Sequence, residues 1–174
     1  MNDTDTRLRQ IALFLMDVDG VLTTGQVIYD DAGQETKIFN VRDGVGIRML
    51  MDVGVKVGIV TGRRSMALIH RCRNLGIDLI KDGVRDKSKA LIEILNETGV
   101  AAENTAFVGD DLPDLPILRR VGLPIAVGDA HALVKQTAAW TTQLAGGCGA
   151  IREIAERILV ARGEWESLLQ RRFS

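Results

Sequence analysis

Short, continuous apolar runs separated by helix-like stretches dominate the sequence, and that alternation constrains the fold more than any other feature. The runs fall at 11–16, 57–60, 78–80, 106–108 and 125–127, with a weaker one at 139–141. Apolar residues at consecutive positions, rather than every second one, mark strands covered on both faces, as in a parallel sheet. Between the runs the period changes. Ala90, Leu91, Ile94 and Leu95 recur at helical spacing, as do Ile151, Ile154, Ala155, Ile158 and Leu159. Ser65 stands where it can cap a helix that ends at Gly76, and Gly99 stops the next one. The expectation is an α/β fold: a Rossmann-like, doubly wound parallel sheet with right-handed crossovers. A chain of 174 residues suits one domain spanning 1–174.

One segment breaks the rhythm. Between 26 and 39, Val27-Ile28-Tyr29 and Thr36-Lys37-Ile38-Phe39 flank Asp30-Asp31-Ala32-Gly33, which predicts a projecting β-hairpin, a candidate lid or oligomer contact. The stretch from about 163 to 174 mixes charges with Trp165, Leu168 and Leu169 and is expected to be a mobile tail. Lys plus Arg number 22 and Asp plus Glu 23, so the formal net charge of −1 lacks the basic surplus of a nucleic-acid binder. The run at 11–16 is far short of the ~20 apolar residues of a membrane span, and no signal-peptide pattern accompanies it. Two cysteines, Cys72 and Cys148, cannot form a disulfide scaffold and fit a reducing cytoplasm; both are expected to be packing or incidental residues. Trp140 is expected in the core, and His70 and His131 share no motif that would make them a zinc pair.

The densest chemical signal is Asp17-Val18-Asp19-Gly20, directly behind the first apolar run. Open α/β sheets bind ligands at the carboxyl ends of their strands, so both carboxylates would emerge at that edge. A polar turn would explain one acid, but two behind a buried strand suggest a site. Asp110-Asp111-Leu112-Pro113-Asp114 follows the fourth run and would share the edge. One of these acids could cap a helix with Pro113 inside it; the whole cluster repels itself unless a hard cation such as Mg²⁺ joins it. Thr61-Gly62-Arg63 follows the second run, and Lys87 lies beyond the third. Singly, Thr61 reads as a helix cap and Lys87 as a solvated lysine. Together, a hydroxyl, backbone amides and an ammonium can hold phosphoryl oxygens.

That four-part order, from Leu13 to Asp114, resembles the haloacid dehalogenase superfamily of phosphotransferases. The resemblance implies a Mg²⁺-dependent phosphatase. Asp17 would be the nucleophile forming an aspartyl-phosphate, and Asp19 the acid and base. Mg²⁺ would sit on Asp17, the backbone carbonyl of Asp19 and Asp110. Thr61 and Lys87 would bind the phosphoryl oxygens, with Asp111 and Asp114 orienting metal-bound water and Lys87 from outside. Relatives with cap domains insert them between these motifs. Here the segment from Asp19 to Thr61 is spent on the hairpin and one helix, and that from Thr61 to Lys87 on one helix and one strand, so no cap domain is expected.

Phe39 to Arg48, Thr61-Gly62-Arg63, Gly109 to Asp114 and Gly146 to Glu153 are similar to the family of 3-deoxy-D-manno-octulosonate 8-phosphate phosphatases, over roughly 13–163. That similarity implies a cytoplasmic homotetramer in lipopolysaccharide precursor synthesis, with hairpins forming a central barrel and tails covering neighbouring sites. It places contacts to a sugar acid phosphate at Asp19, Asn40, Val41, Arg42, Asp43, Gly44, Arg48, Arg63, Arg71 and Lys87. Arginines suit such a doubly anionic ligand, although Arg48 and Arg71 alone would read as an exposed helix face. Cys148 departs from the basic or acidic residue that family members often carry. Three other readings stay open: a phosphatase for another phosphate, such as a nine-carbon nonulosonate 9-phosphate or a phosphoprotein; a phospho-acceptor receiver module; and a silent scaffold. The order of the acids argues against the receiver, and the intact Asp17, Asp19, Lys87 and Asp110 against the scaffold.

Overall fold

The computed structural model describes residues 3–173. In chain order the elements are α1 (Asp3–Gln10), β1 (Leu13–Met16), β2 (Ile28–Tyr29), β3 (Glu35–Thr36), α2 (Val41–Asp52), β4 (Lys56–Val60), α3 (Met66–Leu75), β5 (Leu79–Lys81), α4 (Lys87–Thr98), β6 (Thr105–Gly109), α5 (Leu115–Leu118), β7 (Leu123–Ala126), α6 (Ala132–Thr137), β8 (Trp140–Thr141), α7 (Ala150–Arg162) and α8 (Trp165–Phe173). Every apolar run became a strand. Six strands pair in the order β5-β4-β1-β6-β7-β8, and all their pairings are parallel.

The continuous apolar runs are explained by burial on both faces. All of β1 and β6 is buried, with Phe14 and Phe107 among the largest fully enclosed side chains. On one face α7 packs against α1, α2 and α8, and α2 also touches α3; elsewhere α5 joins α4 to α6. Connections leave β1 for β4 on one side and reach β6 on the other, so the strand order reverses beside β1. Such a reversal opens a crevice at the carboxyl ends, which is where this fold class binds ligands. No cap domain interrupts the described residues. Nor is any described helix long and apolar enough to cross a membrane.

The hairpin exists but is slight. Its two strands pair through only two residue pairs, Ile28 with Thr36 and Tyr29 with Glu35. Asp30 Oδ1 accepts the N–H groups of Ala32 and Gln34 at 3.0 and 2.7 Å, and Gly33 takes φ 76° to close the turn. Val27, Ile28, Tyr29 and Ile38 all remain exposed on it. Gly76 and Gly99 end their helices in the left-handed conformation as expected, whereas Ser65 occupies the cap position of α3 without a side-chain capping bond. Trp140 is only half-buried, with the Arg157 guanidinium 4.4 Å from its ring centre.

The expected mobile tail is a correction. Gly163 turns the chain at φ 72°, and α8 folds back on the domain with Leu168 2% exposed. Trp165 packs at the core edge beneath Arg152, and Arg172 pairs with Asp52. The charges that suggested a tail occupy the outer face, while Trp165 and Leu168 are one helical turn apart on the inner one. Replacing Leu168 by alanine should therefore cost about 2–3 kcal/mol, as for other buried leucines, rather than nothing. Urea denaturation would measure it, and protease cleavage near Gly163 should accelerate in the variant.

Candidate active site

Asp17 and Asp19 leave the carboxyl end of β1 in a tight loop. The N–H groups of Val21, Leu22 and Thr23 all converge on the Val18 carbonyl, and the Asp17 N–H donates to Val108 of β6 at 3.1 Å. Gly20 sits at φ 88°, and a methyl there would overlap the Asp110 carboxylate. The loop rests on the 146–149 segment. Gly147 N–H donates to Val21 at 2.8 Å, and a side chain at Gly146 would overlap the Gly20 carbonyl. The glycines singled out in the sequence are thus required by close backbone approach. Cys148 beside them is exposed, so it is not a packing residue, whereas Cys72 is buried and its thiol is pushed up to about 11 by that burial.

The second acidic group is divided by its hydrogen bonds. Asp111 and Asp114 form a reciprocal capping box on the turn that leads into α5. Asp114 is 1% exposed and fully engaged: its Oδ2 accepts the N–H of Asp110 at 2.9 Å, and its Oδ1 takes the Lys87 ammonium at 2.6 Å. Lys87, at the start of α4, continues to Asp17 Oδ2 at 2.9 Å. It is one of the few buried lysines such a small domain can hold, because two carboxylates flank it. Burial alone would lower its pKa, but Asp17 and Asp114 outweigh that and raise it. Of the two acids expected to orient Lys87, it is Asp114 that holds it, while Asp111 is exposed and its side chain caps the turn.

Thr61 closes the edge from β4. It is buried, its N–H donates to Lys81 at 2.9 Å, and its hydroxyl lies 3.5 Å from the Arg63 N–H. It caps no helix, since α3 begins beyond Ser65. Asp17, Asp19, Thr61, Arg63, Lys87 and Asp110 all line one cleft of about 720 Å³. Arg85 lines it too, and no sequence signal distinguished it from other surface arginines.

The acids fit a hard divalent cation. Carboxylate oxygens of Asp17, Asp110 and Asp114 lie within 4.8 Å of one another, the one such cluster among the described residues. Asp114 is already satisfied, but Asp17 Oδ1 is buried with no hydrogen-bond partner. Burial is the main cause that raises the Asp17 pKa, against the pull of Lys87. Asp110 is pushed up to about 7 by burial and by the neighbouring Asp114, Asp17 and Asp111 carboxylates, with Lys87 only partly compensating. An unsatisfied oxygen beside repelling carboxylates is what a bound cation would relieve.

Other predicted contacts fall outside this cleft in the single chain. Asn40 caps α2 by accepting the Arg42 N–H at 2.9 Å and donates to the Gly147 carbonyl at 3.3 Å. Asp43, 1% exposed, accepts the Arg152 N–H of α7 at 2.9 Å. Gly44 leaves room for the Arg71 guanidinium, which donates to the Asn40 carbonyl at 3.3 Å. Arg48 reaches the Asn74 carbonyl at 2.5 Å, while Val41 and Arg42 are exposed. Sequence reasoning missed the hairpin's own charges. Lys37 pairs with Asp19, and Glu35 takes Arg63 at 2.5 Å. Only the tertiary fold brings 37 to 19.

Comparison with known proteins extends these observations. A family model described as haloacid dehalogenase-like hydrolase matches residues 75–149. The 3-deoxy-D-manno-octulosonate 8-phosphate phosphatase of Escherichia coli strain K12 is 42% identical over 162 residues, 93% of this chain and 86% of that protein. The crystal structure of the Yersinia pestis enzyme of the same name superposes with a TM-score of 0.93 at 42% identity, covering 95% of this chain and 89% of that one. The Moraxella catarrhalis enzyme, solved with magnesium, phosphate and KDO, gives a TM-score of 0.95 at 38% identity over 98% of both chains.

The raised Asp110 pKa carries a sign. Stripped of divalent cations, the folded chain holds a proton on Asp110 up to about pH 7 that the unfolded chain has released near 3.8, so stability falls as pH rises between those values. The thermal midpoint of the metal-stripped protein should drop from pH 5 to pH 8. Asp110→Asn should flatten that slope, and saturating magnesium should restore the wild-type midpoint at the upper end.

Proposed function

The chain belongs to the haloacid dehalogenase-like hydrolases, and on that premise we propose that it hydrolyses 3-deoxy-D-manno-octulosonate 8-phosphate to 3-deoxy-D-manno-octulosonate and inorganic phosphate with the help of magnesium. The relatives of that name support the substrate. The observation that carries the reading on this chain is the Lys87 ammonium held between Asp17 and Asp114 in a cleft that also presents Asp19, Thr61 and Asp110.

Asp17 is assigned as nucleophile. Its carboxylate attacks phosphorus, the bond from phosphorus to the sugar oxygen breaks, and Asp19 gives a proton to the departing alkoxide. Asp19 then takes a proton from water as the water attacks the acyl phosphate, which frees Asp17 and releases phosphate. Thr61 and Lys87 are assigned to the phosphoryl oxygens, where a buried ammonium and a hydroxyl stabilise charge without reorganising. Magnesium held by Asp17, Asp110 and the Asp19 carbonyl would neutralise the phosphoryl group during both displacements. Asp114 acts through Lys87, which it holds at 2.6 Å.

The cleft is open to one side, and the hairpin at its rim leaves Val27, Ile28, Tyr29 and Ile38 uncovered. Two-stranded hairpins are marginal alone, and pairing between subunits would bury these apolar groups. We therefore assign a homo-oligomer, a tetramer by the family resemblance, in which neighbouring chains close the cleft. Assembly is also what could bring exposed residues such as Val41, Arg42 and Arg48 to a sugar bound on another chain, with Asn40, Asp43, Gly44 and Arg71 shaping the surface beneath them. Free thiols at Cys72 and Cys148 fit a cytoplasmic setting.

Phosphate release from a panel of sugar acid phosphates in magnesium is the direct test. The eight-carbon substrate should be turned over fastest; a nine-carbon preference would reassign the substrate without changing the chemistry. Asp17→Asn should abolish turnover with the fold intact, and Asp19→Asn should slow it by about 10²–10⁴-fold. Ile38→Asp should lower the mass seen by light scattering and cut activity on the sugar acid phosphate more than on p-nitrophenyl phosphate. A fully active monomer would remove the assembly proposal.

A further inference from the structure

The hairpin carries an ionic network that reaches into the cleft. Its strands are two residues each and mostly solvent-exposed, yet the Lys37 side chain at its return is only 1% exposed. Lys37 Nζ donates to Asp19 Oδ1 and lies 3.4 Å from Glu35. Glu35 in turn binds Arg63 at 2.5 Å, and Arg63 Nε returns to within 3.6 Å of Asp19 Oδ2. Tyr29 Oη accepts from Arg63 at 3.1 Å and completes the anchor. Two cations and two carboxylates thus close a ring between the hairpin and the cleft.

We propose that Lys37 is a positioning residue for Asp19, fixing that carboxylate so that one oxygen is held by the hairpin and the other is left to carry the proton. This inference rests on the assignment of Asp19 as acid and base. Aspartate has two side-chain torsions, and a proton donor loses efficiency when its oxygen strays from the leaving group. Lys37 occupies Oδ1. Oδ2 is buried and accepts no hydrogen bond, with Arg63 Nε 3.6 Å away at ion-pair distance only, so it is the oxygen left to deliver a proton to the sugar alkoxide and to take one from water. An ammonium is costly to bury unless it is paired, and the hidden Lys37 on an otherwise exposed hairpin is paired to Asp19 and Glu35.

The effect belongs to the proton-transfer step and should follow the leaving group. In the purified protein with magnesium, Lys37→Met should slow kcat for a sugar or other alkyl phosphate about tenfold or more, while kcat for p-nitrophenyl phosphate falls by much less. KM for both esters should stay within about twofold, since the phosphoryl group is bound elsewhere. Lys37→Arg, which keeps the charge, should recover most of the alkyl rate. Equal losses on both esters would make Lys37 a structural residue, and a higher KM at unchanged kcat would make it a substrate contact; either overturns the proposal. So does an unaltered alkyl rate. The sugar ester is the eight-carbon sugar acid phosphate of the proposed function, which separates the readings: a wild type inactive on it overturns the phosphatase assignment and this inference together, whereas an active wild type with an indifferent Lys37→Met overturns this inference alone.

Discussion

The arrangement of the cleft depends on one buried ammonium. Five carboxylates, Asp17, Asp19, Asp110, Asp111 and Asp114, converge on the carboxyl ends of β1 and β6, and left alone they would repel. Lys87 at 5% exposure binds two of them, Asp17 at 2.9 Å and Asp114 at 2.6 Å, and so ties β1, β6 and the start of α4 at one point. Asp114 can accept that role because its other oxygen is satisfied by the backbone of Asp110 and Asp111. The residual charge falls on Asp110 and on the unpartnered oxygen of Asp17, which is where a cation is fitted. A salt bridge at the base of the cleft thereby decides which acids are structural and which are left for chemistry.

The second constraint is the missing cap. With no inserted domain, the cleft opens beside a two-strand hairpin whose apolar side chains face solvent. The hairpin touches the site through charge, not through a core: Lys37 on Asp19, and Glu35 and Tyr29 on Arg63. Its exposed apolar residues and its ionic residues therefore serve different partners. The apolar side chains of Val27, Ile28 and Ile38 stay exposed to solvent, while the ionic ones are already spent on the cleft. A neighbouring subunit that covered the first set would hold the second set in place. The α2–α7 seam supports the base of the hairpin in the same way, since Asn40 and Asp43 bond to the 147–152 segment across it.

Much of this was legible in the sequence, because buried parallel strands and phosphate chemistry both leave dense local patterns. Every apolar run became a strand: β1 and β6 are wholly buried in the middle of the sheet, and the weaker runs became the half-buried edge strands β5 and β8. Asp17, Asp19, Thr61, Lys87 and Asp110 meet in one cleft because each follows a strand and parallel strands deliver their ends to the same edge. What the chain alone could not decide was which neighbours a side chain would find. Asp111 looked equivalent to Asp114 until their hydrogen bonds separated them. The charges of 163–174 suggested a loose tail, whereas one apolar face, Trp165 and Leu168, was enough to dock α8. The run from Asn40 to Gly44, singled out for ligand contacts by the resemblance alone, also supplies a cap, a buried bond to α7 and a gap for Arg71 that its residue types did not announce. Lys37 gave no signal at all, because a lysine in a hairpin resembles any surface lysine until the fold closes Asp19 over it. Periodicity and strand-end position are local properties written along the chain, so they determined the sheet and the edge that holds the acids. Pairing between residues far apart in sequence depends on the geometry of packing, so only the tertiary structure decided which of those charges neutralise one another and which remain free.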